Sequence, residues 1–104
     1  MDAKDVVLAI REGRSLEGHN LSGLDLSCQN LSKAQLKNAN LSGCDFRKSD
    51  LRGADLSGSN LYNADLRAAR LRGANLAGTN RIEAKILKWG LKGAYITGPT
   101  AYQD

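Results

Sequence analysis

The chain has 104 residues, with 15 lysines and arginines against 11 aspartates and glutamates and a formal net charge of +4 at pH 7. This length suits one domain. The absence of any run of about eighteen apolar residues excludes a membrane-spanning helix. The first five residues are too charged for a secretory signal. We therefore expect a cytoplasmic protein without membrane contacts.

The N-terminal segment is predicted to form a short helix. Asp2 suits the N-cap position, and Asp5, three residues later, provides a carboxylate variant of the capping box. Apolar residues share one helical face at Ala3, Val6, Val7 and Ile10. Gly13 suits the left-handed residue that follows a helix. A helix here would cover the open end of the structure that comes after it.

Between residues 21 and 80 a large apolar residue returns at every fifth position. These residues are Leu21, Leu26, Leu31, Leu36, Leu41, Phe46, Leu51, Leu56, Leu61, Leu66, Leu71 and Leu76. On a helix they would spiral around the surface, and in a straight strand they would alternate between faces. One core can collect them only if the chain turns a corner every five residues in the same sense. The pattern therefore predicts an all-β solenoid.

A step of twenty residues aligns like residues, which indicates four corners per coil. The aligned columns include Asn20, Asn40, Asn60 and Asn80; Asp25, Asp45 and Asp65; and Ala34, Ala54, Ala74 and Ala94. A step of fifteen would instead mix acidic, amide and basic residues. We expect about four coils stacked at a spacing of about 4.8 Å. Amide side chains of the asparagine column are expected to hydrogen-bond from coil to coil.

Three blocks carry a family resemblance: Ala-Asn-Leu-Ser-Gly at 39–43, Ala-Asp-Leu-Ser-Gly at 54–58 and Ala-Asn-Leu-Ala-Gly at 74–78. The sequence resembles the pentapeptide repeat family over roughly residues 19–98. The resemblance implies a right-handed quadrilateral β-helix, in which the large residue and the small residue two positions before it point inward. The expected organisation is a capping helix over residues 1–14, a pentapeptide-repeat β-helix over 15–98 and a C-terminal tail over 99–104.

After Asn80 the pattern weakens, because Arg81 takes a position that should hold leucine. One interpretation is a helix over residues 81–89 that ends at Gly90. The other is a last, irregular coil, which we favour because Leu91 and Ile96 keep the five-residue register. In that coil Trp89 is too large for its column of small residues, and we expect it to fold over the end as an apolar lid.

The sequence holds no recognisable catalytic or metal-binding set. His19 is the only histidine and is interpreted as an edge residue. Cys44 falls at a small inward position and Cys28 at an outward corner, so we expect no disulfide. The Asp25 column offers one carboxylate per layer, too few for calcium. We expect no enzymatic activity, no metal and no cofactor.

Basic residues concentrate on two adjoining sides of the predicted β-helix. The candidate partner-binding residues are Arg47, Arg52, Arg67, Arg70, Arg72 and Lys92. Such a stripe suits an acidic protein surface, nucleic acid or anionic lipid. The alternative is ordinary solubilising charge that is partly paired with the aspartate column, and this alternative is favoured. No aromatic residue interleaves with the stripe, which argues against single-stranded nucleic acid.

Our main hypothesis is a non-catalytic interaction scaffold that presents flat faces to a protein partner, as a monomer or an end-to-end dimer. The alternative is a binder of polyanions or of the nucleic-acid backbone through the basic stripe. The pentapeptide repeat family, which this sequence resembles, includes quinolone-resistance proteins. These are acidic rods that resemble duplex DNA and bind DNA gyrase. The basic charge of this chain argues against that role.

Overall fold

The computed structural model describes residues 1–87 and 89–97. Within them the chain forms one helix, α1 (Ala3–Arg11), followed by tight turns that are joined by isolated parallel β-bridges. The predicted tail over 99–104 and the preceding Gly98 lie outside the described residues. The description below therefore concerns the helix and the coils.

Helix α1 begins as predicted. The Asp2 carboxylate accepts a hydrogen bond from the Asp5 N–H at 2.9 Å, and the Asp5 carboxylate accepts one from the Asp2 N–H at 3.1 Å. Gly13 follows the helix with a φ of 73°, the left-handed conformation expected there. Val6 and Ala9 are buried in the same apolar cluster as the first leucines of the coils. The helix is thus packed directly onto the N-terminal end of the stack.

The coils have the predicted register of twenty residues. The asparagine column is joined by bridges between Asn20 and Asn40, Asn40 and Asn60, and Asn60 and Asn80. The N–H of Leu41 donates to the carbonyl of Asn60 at 2.8 Å, and the N–H of Asn60 donates to the carbonyl of Ala39 at 3.0 Å. Because bridged residues are twenty positions apart, each coil has four five-residue sides. The aligned columns of the sequence are therefore real columns in space.

The interior consists of the large and small inward positions that the sequence predicts. Leucines from Leu16 to Leu76 in this register are 0–2% exposed, and Phe46 is fully buried among them. Ser49 and Thr79 occupy small inward positions and donate their hydroxyls to the carbonyls of Phe46 and Leu76 at 2.8 and 2.9 Å. These bonds satisfy polar groups that burial would otherwise penalise.

Most corners are closed by the Asp or Asn that precedes the large inward residue. The side-chain oxygen of Asp55, for example, accepts from the N–H and the hydroxyl of Ser57 at 3.0 and 2.6 Å. This side-chain turn explains why Asp and Asn recur at that position. The asparagine column makes the same turn with its amide oxygens, as where the Ser42 N–H donates to Asn40 at 3.1 Å. Among the described asparagines of this column, only the Asn80 amide donates to its neighbour in the previous coil, Asn60, at 3.3 Å.

The last described coil is irregular and not helical, so the helix interpretation of residues 81–89 is wrong. Lys85 bridges Asp65, and Tyr95 bridges Asn75, both in the twenty-residue register. The N–H of Lys85 donates to the carbonyl of Ala64 at 2.9 Å. Pairing with the previous coil therefore outweighs the local helical pattern.

Trp89 does not form the expected lid, because its side chain is 72% exposed. Its column has room for alanine-sized side chains, as at Ala69 one coil earlier. Two consecutive turns displace the backbone here: the Gly90 N–H donates to the carbonyl of Leu87 at 2.8 Å, and the Lys92 N–H donates to that of Trp89 at 3.1 Å. The indole consequently lies on the side of the β-helix.

Candidate functional site

Two of the six candidate basic residues, Arg47 and Arg67, are paired with aspartates on their own face. Arg47 donates from Nε and Nη2 to Asp45 at 3.0 and 2.8 Å, and Arg67 donates in the same way to Asp65 at 2.9 and 2.7 Å. These two-point contacts are the geometry in which guanidinium and carboxylate fit best. The hydrogen bonds from the arginines lower the pKa of both aspartates. The charges of these two arginines are thus compensated.

Arg52 is compensated in the same way. Its Nε and Nη2 donate to Asp50 at 2.9 and 2.7 Å. This side-chain bond, together with the Arg52 N–H, lowers the pKa of Asp50 to about 2. In all three pairs the aspartate stands two residues before the arginine, on either side of an inward residue. The two side chains therefore project from the same side of the coil.

Arg70, Arg72 and Lys92 lack this arrangement. Position 70 holds arginine where the previous coil has Asp50, and position 90 holds glycine, so neither Arg72 nor Lys92 follows an acid by two residues. All three side chains are exposed. None of the ion pairs found within residues 1–87 and 89–97 involves them. They form the uncompensated part of the candidate stripe.

These cations line an open cavity of about 420 Å³ at the C-terminal end of one side of the β-helix. We call it the basic groove and define it by Arg52, Arg70, Arg72, Leu87, Trp89 and Lys92. The buried residues Ala69 and Leu71 lie at its floor. The structure thus brings four of the six candidate residues together and leaves Arg47 and Arg67 outside the groove.

Sequence reasoning missed Trp89 and Leu87 as groove residues. The stripe was expected to lack aromatic side chains, yet the indole of Trp89 contributes to the same cavity as Arg70. Two signals in the sequence pointed to the groove. One is the tryptophan in a column of small residues, and the other is Arg-Leu-Arg at 70–72, where the previous coil has Asp50 in the first position. The groove therefore combines positive charge with exposed apolar surface.

Arg81 is a second unusual basic residue, but it faces inward. Its side chain is 1% exposed, in the position that leucine fills in earlier coils. Its Nη1 donates to the Leu76 carbonyl at 3.3 Å and to the Thr79 hydroxyl. Its Nε and Nη2 have no hydrogen-bond partner in the described part of the chain. This guanidinium is part of the interior and contributes no surface charge.

The remaining reactive residues in the described part of the chain form no further centre. The Cys44 thiol is buried and donates to the Leu21 carbonyl at 3.0 Å, and burial raises its pKa. Cys28 is exposed and both cysteines are free, as predicted. Over 1–87 and 89–97, no cluster of three or more His, Cys, Asp or Glu residues has the arrangement of a metal site. In the same ranges no helix has the length and apolarity to cross a bilayer.

Comparison with known proteins gives consistent matches. The family model described as pentapeptide repeats matches in 8 copies, over residues 12–43, 30–67 and 49–80. The crystal structure of a pentapeptide repeat protein from Nostoc PCC 7120 is similar over 92% of this chain and 96% of that chain, with 31% identity and a TM-score of 0.67. A pentapeptide repeat protein from the thylakoid lumen of Arabidopsis thaliana has 29% identity and a TM-score of 0.56 over 88% of this chain. This chain covers 59% of the Arabidopsis protein. No significant match was found among curated proteins.

Proposed function

Since the chain belongs to the pentapeptide repeat family, we propose that it is a non-catalytic scaffold that binds a protein partner through one flat side. The proposed architecture is a right-handed quadrilateral β-helix of about four coils, with α1 as its N-terminal cap. The proposed binding side carries Arg52, Arg70, Arg72 and Lys92.

The observation that supports this proposal is the uneven compensation of charge. Arg47, Arg52 and Arg67 hold aspartates at 2.7–2.8 Å, whereas Arg70, Arg72 and Lys92 take part in no ion pair among the described residues. Compensated pairs on a surface contribute little to binding, because their charges are already satisfied. A cluster of cations without such partners attracts acidic surfaces and steers their approach.

A rigid stack of coils suits a binding scaffold because its surface needs little reorganisation when a partner binds. Backbone bonds join every coil to the next, as between the Gly53 N–H and the Arg72 carbonyl at 3.0 Å. A preformed surface loses less conformational entropy when a partner docks. The proposed partner is therefore a folded protein or a protein segment that meets an already ordered side.

The test is affinity capture from the native host lysate with three baits. These are the natural sequence, the pair Arg70→Glu and Arg72→Glu, and a control pair, Lys4→Glu and Lys48→Glu. The control makes the same change in net charge on exposed residues outside the groove. A protein retained by the natural sequence and the control, but lost with the first pair, is the expected result. Identical captures by all three baits would refute the binding side proposed here.

A second candidate function is binding of a polyanion or nucleic-acid backbone, favoured by one cation per coil at Arg52, Arg72 and Lys92. Counterion release makes such binding strongly dependent on salt. Retained nucleic acid, with an affinity that falls steeply between 50 and 200 mM salt, would support this candidate. Protein capture that is insensitive to nuclease treatment would exclude it as the explanation of the captured material.

A further inference from the structure

We propose that the basic groove binds a short, extended acidic segment of a protein, with carboxylates on Arg70, Arg72 and Lys92 and one aromatic or leucine side chain against Trp89. This inference rests on the proposed function and specifies the chemistry of the partner. It concerns the C-terminal end of the binding side, not the whole side.

The charges of the groove fit carboxylates in particular. Asp50 already compensates Arg52 through contacts of 2.9 and 2.7 Å. Arg70 and Arg72 present planar guanidinium groups whose paired N–H donors match the two oxygens of a carboxylate. Lys92 adds a third, more mobile cation on the same cavity. Two or three carboxylates in the ligand would therefore balance the groove.

The apolar wall of the groove requires a second feature in the ligand. Trp89 is 72% exposed and Leu87 is 39% exposed, so both present apolar surface to water. Exposed tryptophan next to arginine is the composition typical of energetically dominant positions in protein interfaces. An aromatic or leucine side chain between acidic residues would cover the indole while the carboxylates reach the cations.

The dimensions of the groove suggest a ligand of about five residues. Arg52, Arg72 and Lys92 stand on successive coils, so their attachment points span about 10 Å at the usual strand spacing. An extended peptide advances about 3.3 Å per residue, and its side chains on one face are about 6.6 Å apart. Three to five residues therefore cover the cations and reach Trp89 with an alternating side chain.

Nucleic acid fits the groove less well than an acidic peptide. Proteins that bind single strands stack successive bases on several aromatic side chains, whereas the groove presents one, Trp89. Along the same side toward the N-terminus, Asp50 compensates Arg52, and Lys33 is the next exposed cation. A long polyanion would therefore meet weaker positive charge beyond the groove than inside it.

Trp89 itself provides the measurement, because it is the only tryptophan of the chain. The probe is a blocked five-residue peptide of four glutamates around a central phenylalanine, titrated into the full chain at low salt. We expect a saturable blue shift of the indole emission. The same peptide with alanine for phenylalanine should bind about tenfold more weakly, and a peptide with lysines for the glutamates should give no saturable shift.

Variants then locate the binding. In the Arg70→Glu and Arg72→Glu pair we expect at least a tenfold loss of affinity, while the Lys4→Glu and Lys48→Glu control should retain the affinity of the natural sequence. Labelled-peptide anisotropy with Trp89→Ala should show a loss comparable to that from removing the phenylalanine. Equal losses in both charge-reversal pairs would overturn the assignment to the groove.

Two further outcomes would also overturn the inference. One is the absence of any saturable response to the acidic peptide, and the other is tighter binding of a deoxythymidine oligonucleotide of equal charge. If the peptide fails but lysate capture is still lost on charge reversal of Arg70 and Arg72, the proposed function stands with another partner chemistry. If lysate capture is unaffected as well, the proposed binding side is wrong too.

Discussion

Arg81 occupies the interior position that Leu61 fills one coil earlier, and the two side chains are 1% and 0% exposed. Two of the three guanidinium nitrogens of Arg81 have no acceptor among the described residues. Removing a charged group from water is costly unless its hydrogen bonds are replaced. We therefore expect Arg81→Leu to raise the free energy of unfolding by about 1–3 kcal/mol. Urea denaturation followed by circular dichroism measures this change.

The reverse change supplies the control for this prediction. Leu61→Arg would place a second guanidinium in the middle of the stack, where the expected loss is about 3–5 kcal/mol. A surface replacement, Arg11→Leu on α1, should change stability by less than about 0.5 kcal/mol. A lower denaturation midpoint for Arg81→Leu would show that the buried guanidinium stabilises the last coil.

The corner turns depend on a side-chain oxygen, which can be tested at Asp55. Its carboxylate accepts from the Ser57 N–H and hydroxyl at 3.0 and 2.6 Å. Asp55→Ala removes both acceptors and should lower the free energy of unfolding by about 1–2 kcal/mol. Asp55→Asn keeps an acceptor oxygen, as Asn75 does in the next coil, and should cost less than half as much. Equal losses in the two variants would contradict the turn assignment.

Most of the fold follows from the sequence because one short repeat determines both the core and the register. Most inward leucines have a leucine twenty residues before or after them, and columns such as Asn20 to Asn80 identify the coil length directly. The structure departs from the sequence-based expectation where local conformational preferences compete with pairing between coils. The helical pattern of residues 81–89 loses to pairing with the previous coil, and Trp89 is moved outward by two turns that no column predicts.

The candidate site was predictable only in part, because the repeat places a side chain on a side of the coil but does not determine its contacts. Periodicity places six basic residues on two sides, but whether each is compensated depends on the residue two positions earlier. Asp50 before Arg52 gives a pair, and Arg70 before Arg72 does not. That difference is readable in the sequence once the side-chain geometry of the corner is known. The contribution of Trp89 to the groove required coordinates.

The backbone is left-handed at many outward corners. We therefore expect two substitutions at such corners to change stability in opposite directions. Lys48 has a φ of 60°, where a side chain is strained, while Gly73 has a φ of 74° at the equivalent position of another side. We expect Lys48→Gly to stabilise the chain by about 0.5–1 kcal/mol and Gly73→Ala to destabilise it by about 1 kcal/mol. A Cβ on Gly73 would be 3.6 Å from the Gly53 nitrogen, an ordinary contact. Its cost would therefore come from the backbone, and thermal denaturation should show midpoint shifts of opposite sign.

Acid should weaken the fold through the paired aspartates. The hydrogen bond from Arg52 is the main cause that holds the pKa of Asp50 at about 2, below the value of about 3.9 for an unfolded chain. A group whose pKa is lower in the folded state contributes stability above the unfolded value and loses it as the pH falls through the folded value. We therefore expect the melting temperature to fall between about pH 4 and pH 2.

Two variants should reduce this dependence by different routes. Asp50→Asn removes the titrating group but keeps an oxygen for the corner turn, and Arg52→Gln removes the main cause of the lowered pKa. Both should give a smaller loss of melting temperature between pH 4 and pH 2 than the natural sequence. The remaining loss is assigned to the other aspartates with lowered pKa values. Hydrogen bonds from Arg47 and Arg67 lower the pKa of Asp45 and Asp65, and hydrogen bonds from Ser27 and Ser57 lower the pKa of Asp25 and Asp55. An unchanged pH profile in both variants would show that the Asp50–Arg52 pair does not contribute to acid sensitivity, because a coupled pair must respond to the loss of either member.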